Sequence, residues 1–525
     1  VSPARFEDAL RVRARATPDA TYIASEHGAA TFGAVDAVAE VLADRLHAAV
    51  PTGPVATILS VGPAMAAVTF AAGRAGFALA PLHRRRAPAD LIAAVEALDP
   101  GAILHDPGTA DVARAIAGDR PVLDVARLAG GSPPPPPAGP AAPSASDPEI
   151  QRALDTAHEA ARLAGVPPPG TRIREGALGA TDDAFLLWTS GTDGTSRAVR
   201  VSHANLMAVA GGSALRLDLA ADDSWLAVLD PAHIGGLALL VRAAVVGFRL
   251  VTRERFDATE VASLLDAGAI TSASLVPTML RRLLEARGER LAPAHARCLL
   301  VGGDGVPRAL LERALDLRYP LALTYGLTEA SSQVCTAPPA LVREKPGTVG
   351  WPLKGVEIHV REATGEILVR GDTIAAGYLG GDAALVGGDG WLATGDVGHV
   401  DGDGHLWVMG RLSDRIITGG VNVDPAEVSA RLSMDPAVEE VVVVGLPDEE
   451  WGEVVAAAFV PRAADPDIGA LTQRWHASLS GPMKPREVVA VEAIPRNANG
   501  KVDRDAVRAL FGARTSSRLR ASGAR

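Results

Sequence analysis

The chain has 525 residues, 22% of them charged and 48% hydrophobic, and a formal net charge of −11. This is ordinary globular composition, long enough for about three to four domain-sized units and a large buried core. The acidic balance argues against a nucleic-acid partner. Two cysteines, Cys298 and Cys335, with no CxxC spacing argue against a disulfide framework and a structural zinc site. A reduced, cytoplasmic setting fits.

The first twenty residues carry no signal-peptide core. The most apolar stretch, Val55 to Leu82, is long enough to span a bilayer, but Pro63, Arg74 and several glycines interrupt it. A buried strand, a helix and another strand are predicted there instead, with no membrane span. From Val55 to about Arg370 strand-like runs alternate with helical patterns. "GAILHD" follows a helix at Pro88–Leu98, "TSASLVP" leads into "TMLRRLLEAR", and "RCLLVGG" leads into "PRALLERALDL". The alternation predicts parallel α/β layers.

Residues 130–170 break this texture. "GGSPPPPPAGPAAPSASDP" reads as a polyproline-type surface insertion, followed by a helix that Asp147-Pro148 can open. From Gly365 short strands and Gly/Asp turns dominate, and Asp424-Pro425 can cap a later helix. A domain boundary is placed near Gly410 to Ser413. The tail, 513–525, is basic and expected to be disordered.

The most informative stretch is "LLWTSGTDGTSRAVRVSH", Leu186 to His203. Glycines let successive backbone N–H groups converge on an anion, Thr and Ser hydroxyls add donors, and Arg197 and Arg200 add charge. Phosphate is the natural guest, although a plain polar turn fits this stretch alone equally well. The glycine–lysine spacing of a Walker loop is absent. Four further stretches follow in order: "YGLTEASS", "TGD" at Thr394–Asp396, "GRLSDRIITGGVN" and "PRNANGK" ending at Lys501.

Together these five motifs resemble those of the AMP-forming adenylating enzymes, which include acyl-CoA synthetases, luciferases and peptide-synthetase adenylation domains. The resemblance runs over nearly the whole chain. It implies a large multi-layered N-terminal domain of sheets and helices (1–410), a hinge (411–414) and a small mobile α+β C-terminal domain (415–512). It implies ATP, Mg²⁺ and coenzyme A, with a small carboxylic acid as substrate, and it is compatible with a homodimer. Two half-reactions follow: a carboxylate attacks the α-phosphate of ATP, and a thiol then displaces AMP from the acyl-adenylate.

The resemblance also implies residue roles. Thr189, Ser190, Gly191, Thr192, Gly194 and Arg197 would hold the β- and γ-phosphates. Thr328 would bond the α-phosphate, and Glu329 would ligate Mg²⁺. Gly302, Gly303 and Asp304 would line adenine, with Tyr325 and Gly326 beside the nucleotide. Asp396 and Arg411 would meet the ribose. Lys501 would steady the attacking carboxylate and the phosphorus. Gly419 and Gly420 would line a pantetheine channel once the C-terminal domain rotates about Ser413.

Three departures stand out. Asp193 replaces the family's usual second Thr, and Ser196-Arg197 replaces Pro-Lys. Ala232 stands where an aromatic residue often precedes the pocket His. Arg197 keeps the charge. Asp193 fits best pointing outward, shaping the turn. "HIGGLALLVRAAVVG" and neighbouring stretches resemble the 2-succinylbenzoate–CoA ligases of menaquinone synthesis. His233, counted with Lys501, Thr328 and Glu329 among the catalytic residues, would then border the acyl pocket with Gly235 and Gly236, and Ser331 and Ser332, with Gln333, would face the second carboxylate. Aryl or medium-chain acyl-CoA synthetases remain an alternative, and a degenerate adenylate binder is a third reading.

Overall fold

The structure, a computed structural model, describes residues 5–26, 28–84, 86–130, 182–189, 197–381, 384–496 and 502–511. Lys501, Ser190, Gly191, Thr192, Asp193 and Gly194 lie outside these residues. So do nearly all of the Pro-rich insertion, the helix expected after Asp147-Pro148, and the 513–525 tail.

The chain divides into two compact units. The larger comprises residues 1–303, 314–358 and 369–392, and the smaller 304–313, 359–368 and 393–525. Residues 411–414 fall within the smaller unit, where Leu412–Asp414 forms a 3-10 turn.

Among the described residues, the larger unit holds two extended sheets. The nine-stranded sheet has the order Trp351–Pro352, Ser332–Ala337, Leu321–Leu327, Cys298–Val301, Ser272–Leu275, Ser224–Ala227, Arg249–Thr252, Thr21–Ser25, Gly28–Thr31. Its strands from Thr21–Ser25 through Leu321–Leu327 are parallel neighbours. The seven-stranded sheet has the order Gly377–Tyr378, Arg197–Ser202, Asp183–Thr189, Leu79–Pro81, Val55–Ile58, Ala102–His105, Val122–Asp124. The expected parallel α/β layering is therefore present, with antiparallel strands added at the edges.

The apolar run from Val55 folds as strand Val55–Ile58, helix Pro63–Ala75 and strand Leu79–Pro81. Eleven of the helix's thirteen residues are buried, which is why the run is apolar on all sides. Gly76 ends the helix at φ 87°, a left-handed conformation that glycine adopts without steric cost. Among the described residues, no helix is long and apolar enough to cross a membrane.

Capping residues set the other boundaries. Thr31 accepts a hydrogen bond from Ala34 N–H at the start of Phe32–Ala49, and Ser202 with Asn205 forms a capping box at the start of His203–Leu217. Phe6, Phe32, Phe70, Phe185, Trp225 and Phe248 fill the centre of the large core. The buried Trp225 indole N–H donates to Ser274 Oγ at 2.9 Å, so its burial leaves no donor unpaired.

The smaller unit carries most of a four-stranded sheet, ordered Val356–Val360, Glu366–Gly371, Leu392–Val400, Leu406–Arg411. It also holds a five-stranded sheet around Val438–Asp448 and Gly452–Pro461, with Glu487–Ala490 beside the latter. Asp424 caps Pro425–Leu432 through Ala426 N–H, as its sequence signature predicts. This sheet has apolar packing on both faces: Phe459 and Trp475 on one, Ile494, Val507 and Phe511 on the other.

Candidate active site

In the nine-stranded sheet, three loops leave the carboxyl ends of parallel strands, where open α/β sheets place their ligands. The strand Ser224–Ala227 leads to His233, Cys298–Val301 leads to Gly302 and Gly303, and Leu321–Leu327 carries Tyr325 and Gly326 and leads to Thr328 and Glu329. In the seven-stranded sheet, Asp183–Thr189 ends at Thr189 and turns back to Arg197, its register partner. Thr189 Oγ1 donates to Arg197 O at 3.4 Å. The phosphate-loop residues between these two anchors lie outside the described residues.

Arg197 and Glu329 are linked through Tyr378. The Arg197 guanidinium lies 5.5 Å from the Tyr378 ring centroid, and the Tyr378 hydroxyl donates to Glu329 Oε1 at 3.4 Å. The backbone of the same segment ties both ends: Ala375 N–H donates to Glu329 O, and Leu379 N–H to Ala198 O. The Glu329 carboxylate is thus a hard oxygen donor held on a short 3-10 turn, which suits Mg²⁺. Another carboxylate-rich group, Asp401, Asp403 and His405, occupies a hairpin turn where Asp401 Oδ1 accepts the N–H groups of Asp403 and His405.

Glycine is needed at two of these positions. A Cβ at Gly326 would sit 1.8 Å from Ser332 O, and one at Gly302 would sit 2.6 Å from Thr324 Cγ2. Gly326 therefore lets the strand cross the Ser331-Ser332 turn, whose residues hold φ 55° and 119°. Ser331 is buried, and its Oγ has no partner among the described residues.

His233 opens the helix Ile234–Val246 from an extended conformation. Gly236 lets that helix begin against the carbonyls of Leu229 and Asp230, which a Cβ would approach to 2.5 and 2.6 Å. Gly235 faces Leu229 with ordinary clearance. Further along the same helix, Arg242 is fully buried, a position that motif reading passed over. Its Nη2 donates to Gln333 Oε1 at 2.6 Å, its Nε has no acceptor, and no carboxylate pairs with it among the described residues. Burial pulls its pKa down to about 10, so it remains a cation at neutral pH. The other deeply buried arginines among the described residues, Arg5, Arg74 and Arg287, are paired with Glu7, Asp36 and Asp266 respectively. The signal was present in the sequence: a lone charge inside "GGLALLVRAAVV".

In the smaller unit, Asp396 and Arg411 face each other across a hairpin, with Arg411 Nε 3.0 Å from Asp396 Oδ1. Thr394 Oγ1 receives the Asp396 N–H, holding the acid in place. Asp304 is exposed and accepts from Gly305 N–H. Gly419 and Gly420 form the turn between Ile416–Thr418 and Val421–Val423 at φ 57° and 79°, and a Cβ at Gly419 would strike the Trp451 ring. The structure thus brings Arg197 and Glu329 together through Tyr378, with Thr189 beside Arg197 in register. It sets Gly302 against the strand that carries Tyr325 and Gly326, and it pairs Asp396 with Arg411.

The AMP-binding enzyme family model matches residues 10–379, and the AMP-binding enzyme C-terminal domain matches 427–501. The chain belongs to the AMP-binding enzyme family. Within it, the chain is an AMP-forming CoA ligase. The 2-succinylbenzoate–CoA ligases of Bacillus mycoides and Bacillus anthracis are each 37% identical to it over 335 residues, 62% of this chain and 69% of theirs. The solved o-succinylbenzoate CoA synthetase of Bacillus subtilis, in complex with the acyl-adenylate intermediate OSB-AMP, has a TM-score of 0.81 at 28% identity. That match covers 95% of this chain and 97% of that one. ATP-bound MatB from Rhodopseudomonas palustris, at 24% identity and a TM-score of 0.80 over 96% of this chain and 99% of its own, shares the fold.

Proposed function

We propose that the chain joins 2-succinylbenzoate to coenzyme A through an acyl-adenylate, as a cytoplasmic enzyme of menaquinone synthesis. The observation that carries the substrate is Arg242. A fully buried guanidinium with no carboxylate partner among the described residues is costly unless a ligand supplies the negative charge. Benzoate and octanoate offer one carboxylate, which the adenylation step consumes. 2-Succinylbenzoate keeps a second for Arg242. The names of the curated relatives support the same substrate.

In the first half-reaction a carboxylate oxygen attacks the α-phosphorus of ATP and the bond to pyrophosphate breaks. Thr189 to Arg197 hold the outgoing phosphates, Thr328 bonds the α-phosphate, and Lys501 steadies the attacking oxygen against charge repulsion. Glu329 holds Mg²⁺, which when bound neutralises phosphate charge. Asp396 and Arg411 hold the ribose, while Gly302, Gly303 and Asp304 line the adenine, with Tyr325 and Gly326 beside the nucleotide. In the second half-reaction the thiol sulfur attacks the acyl carbon and AMP leaves. A rotation about Ser413 brings Gly419 and Gly420 to the thiol's path, where glycine permits close backbone approach. His233, Gly235, Gly236, Ser331 and Ser332 border the acid.

The test is pyrophosphate release with ATP, Mg²⁺, coenzyme A and, in turn, 2-succinylbenzoate, benzoate and octanoate. Turnover with 2-succinylbenzoate, lost in Lys501→Ala, is expected. Faster turnover of benzoate or octanoate overturns the substrate and keeps the chemistry. ATP binding without pyrophosphate release from any acid overturns catalysis itself.

A further inference from the structure

His83 follows the strand Leu79–Pro81 and belongs to none of the motifs above, yet its side chain is 8% exposed and packed beside His233. The two imidazole centroids are 5.2 Å apart with an interplanar angle of 56°. His83 Nε2 lies 3.7 Å from Asp230 Oδ2. Asp230 is also bound to the His233 turn: its Oδ1 accepts Ala232 N–H at 2.9 Å, and its carbonyl accepts His233 N–H at 3.0 Å. One aspartate therefore touches both histidines, one through its carboxylate and the other through its backbone. The two rings border a narrow cleft with Leu82, Arg86, Trp188 and Ala232. The Trp188 indole N–H there has no acceptor among the described residues.

Ala232 is too small to brace the neighbouring imidazole, and His233 makes no side-chain cap to its own helix. A ring that packs on His233 comes from His83, which follows a strand of the other sheet of the same unit. We infer that His83 is a positioning residue for the acid substrate, setting the orientation of the His233 imidazole through ring packing and through Asp230. The inference rests on the proposed place of His233 at the acyl pocket. It makes His83 a determinant of acid binding more than of ATP binding, because its contacts to His233 and Asp230 run to the acyl-side turn.

The test compares His83→Ala, His83→Phe and His233→Ala in steady-state kinetics with 2-succinylbenzoate, alongside ¹³Cε1-histidine spectra of the full chain. His83→Ala is expected to raise the KM for the acid about tenfold, leave the KM for ATP unchanged and shift the His233 ring signal. His83→Phe, which keeps a ring at that position, is expected to recover most of the loss. The two alanine substitutions combined are expected to cost less than the product of their single effects, as contacting residues do. An unmoved His233 signal in His83→Ala overturns the inference whatever acid the enzyme uses, as does an equal rise in both KM values. If the His233 signal shifts but His233→Ala leaves acid binding intact, the acyl-pocket reading of His233 fails, and the inference with it.

Discussion

Arg242 Nη2 donates to Gln333 Oε1 at 2.6 Å, in a part of the core where no carboxylate of the described residues reaches the guanidinium. Gln333 is itself held by Thr324 and Thr336, to whose hydroxyls its Nε2 donates at 3.2 and 2.8 Å. Replacing Arg242 with methionine keeps those two bonds and removes a buried charge, whose cost exceeds that of leaving Gln333 Oε1 without its donor. Arg242→Met is therefore expected to stabilise the fold by about 1–3 kcal/mol in urea unfolding. The same substitution is expected to raise the KM for 2-succinylbenzoate about 30-fold or more. Loss of stability with no change in acid binding would make Arg242 a structural residue.

Gly326→Ala tests the close approach beneath the Thr328-Glu329 turn. The added methyl would lie 1.8 Å from Ser332 O, so backbone must move. Adenylate formation in a single turnover is expected to slow about 100-fold, because a misplacement near 1 Å suffices for that. Destabilisation of about 1–3 kcal/mol should accompany it. A normal rate would show that the turn does not position reacting groups.

Asp396→Asn tests the hairpin pair. The Arg411 contact at 3.0 Å orients the acid, and the asparagine keeps its shape but loses charge and one acceptor role. An increase in the KM for ATP of about tenfold, with the KM for the acid unchanged, is expected from competition-free initial rates. A change confined to the acid would remove Asp396 from the nucleotide site.

Glu7 is a buried carboxyl through which the larger unit gains acid sensitivity. Burial alone would raise its pKa, but the His203 contact at 2.9 Å and the nearby Arg5 outweigh it and hold it below its ordinary 4.5. A carboxyl lowered on folding stabilises the native state above 4.5, and that stability is lost as pH falls through the folded value. Glu7→Gln is expected to lower stability by about 3–5 kcal/mol at pH 7, since it leaves Arg5 buried without its carboxylate. It should also flatten the acid limb of a stability–pH curve. An unchanged acid limb would assign the sensitivity elsewhere.

Much of the larger unit was legible in advance. Val55–Leu82 is apolar on every face because its helix is buried on every face, and the strand–helix alternation reports parallel layers directly. The antiparallel edge strands were not legible in the same way. Short segments such as Gly377–Tyr378 and Trp351–Pro352 acquire their identity from the strand beside them, not from their own pattern.

The sequence by itself determined the class of protein. Binding a nucleotide's phosphates, metal and ribose needs particular residue types on local turns, and those turns are written in consecutive residues in a fixed order. The tertiary structure decided what no local window contains. The bracing of His233 by His83, the link from Arg197 through Tyr378 to Glu329, and the placing of Arg242 against Gln333 each join segments some 50 to 180 residues apart in sequence, as the numbering shows. Burial and proximity are properties of the packed chain. A charge becomes a demand for a ligand only once its neighbours have removed the water and supplied no counter-ion.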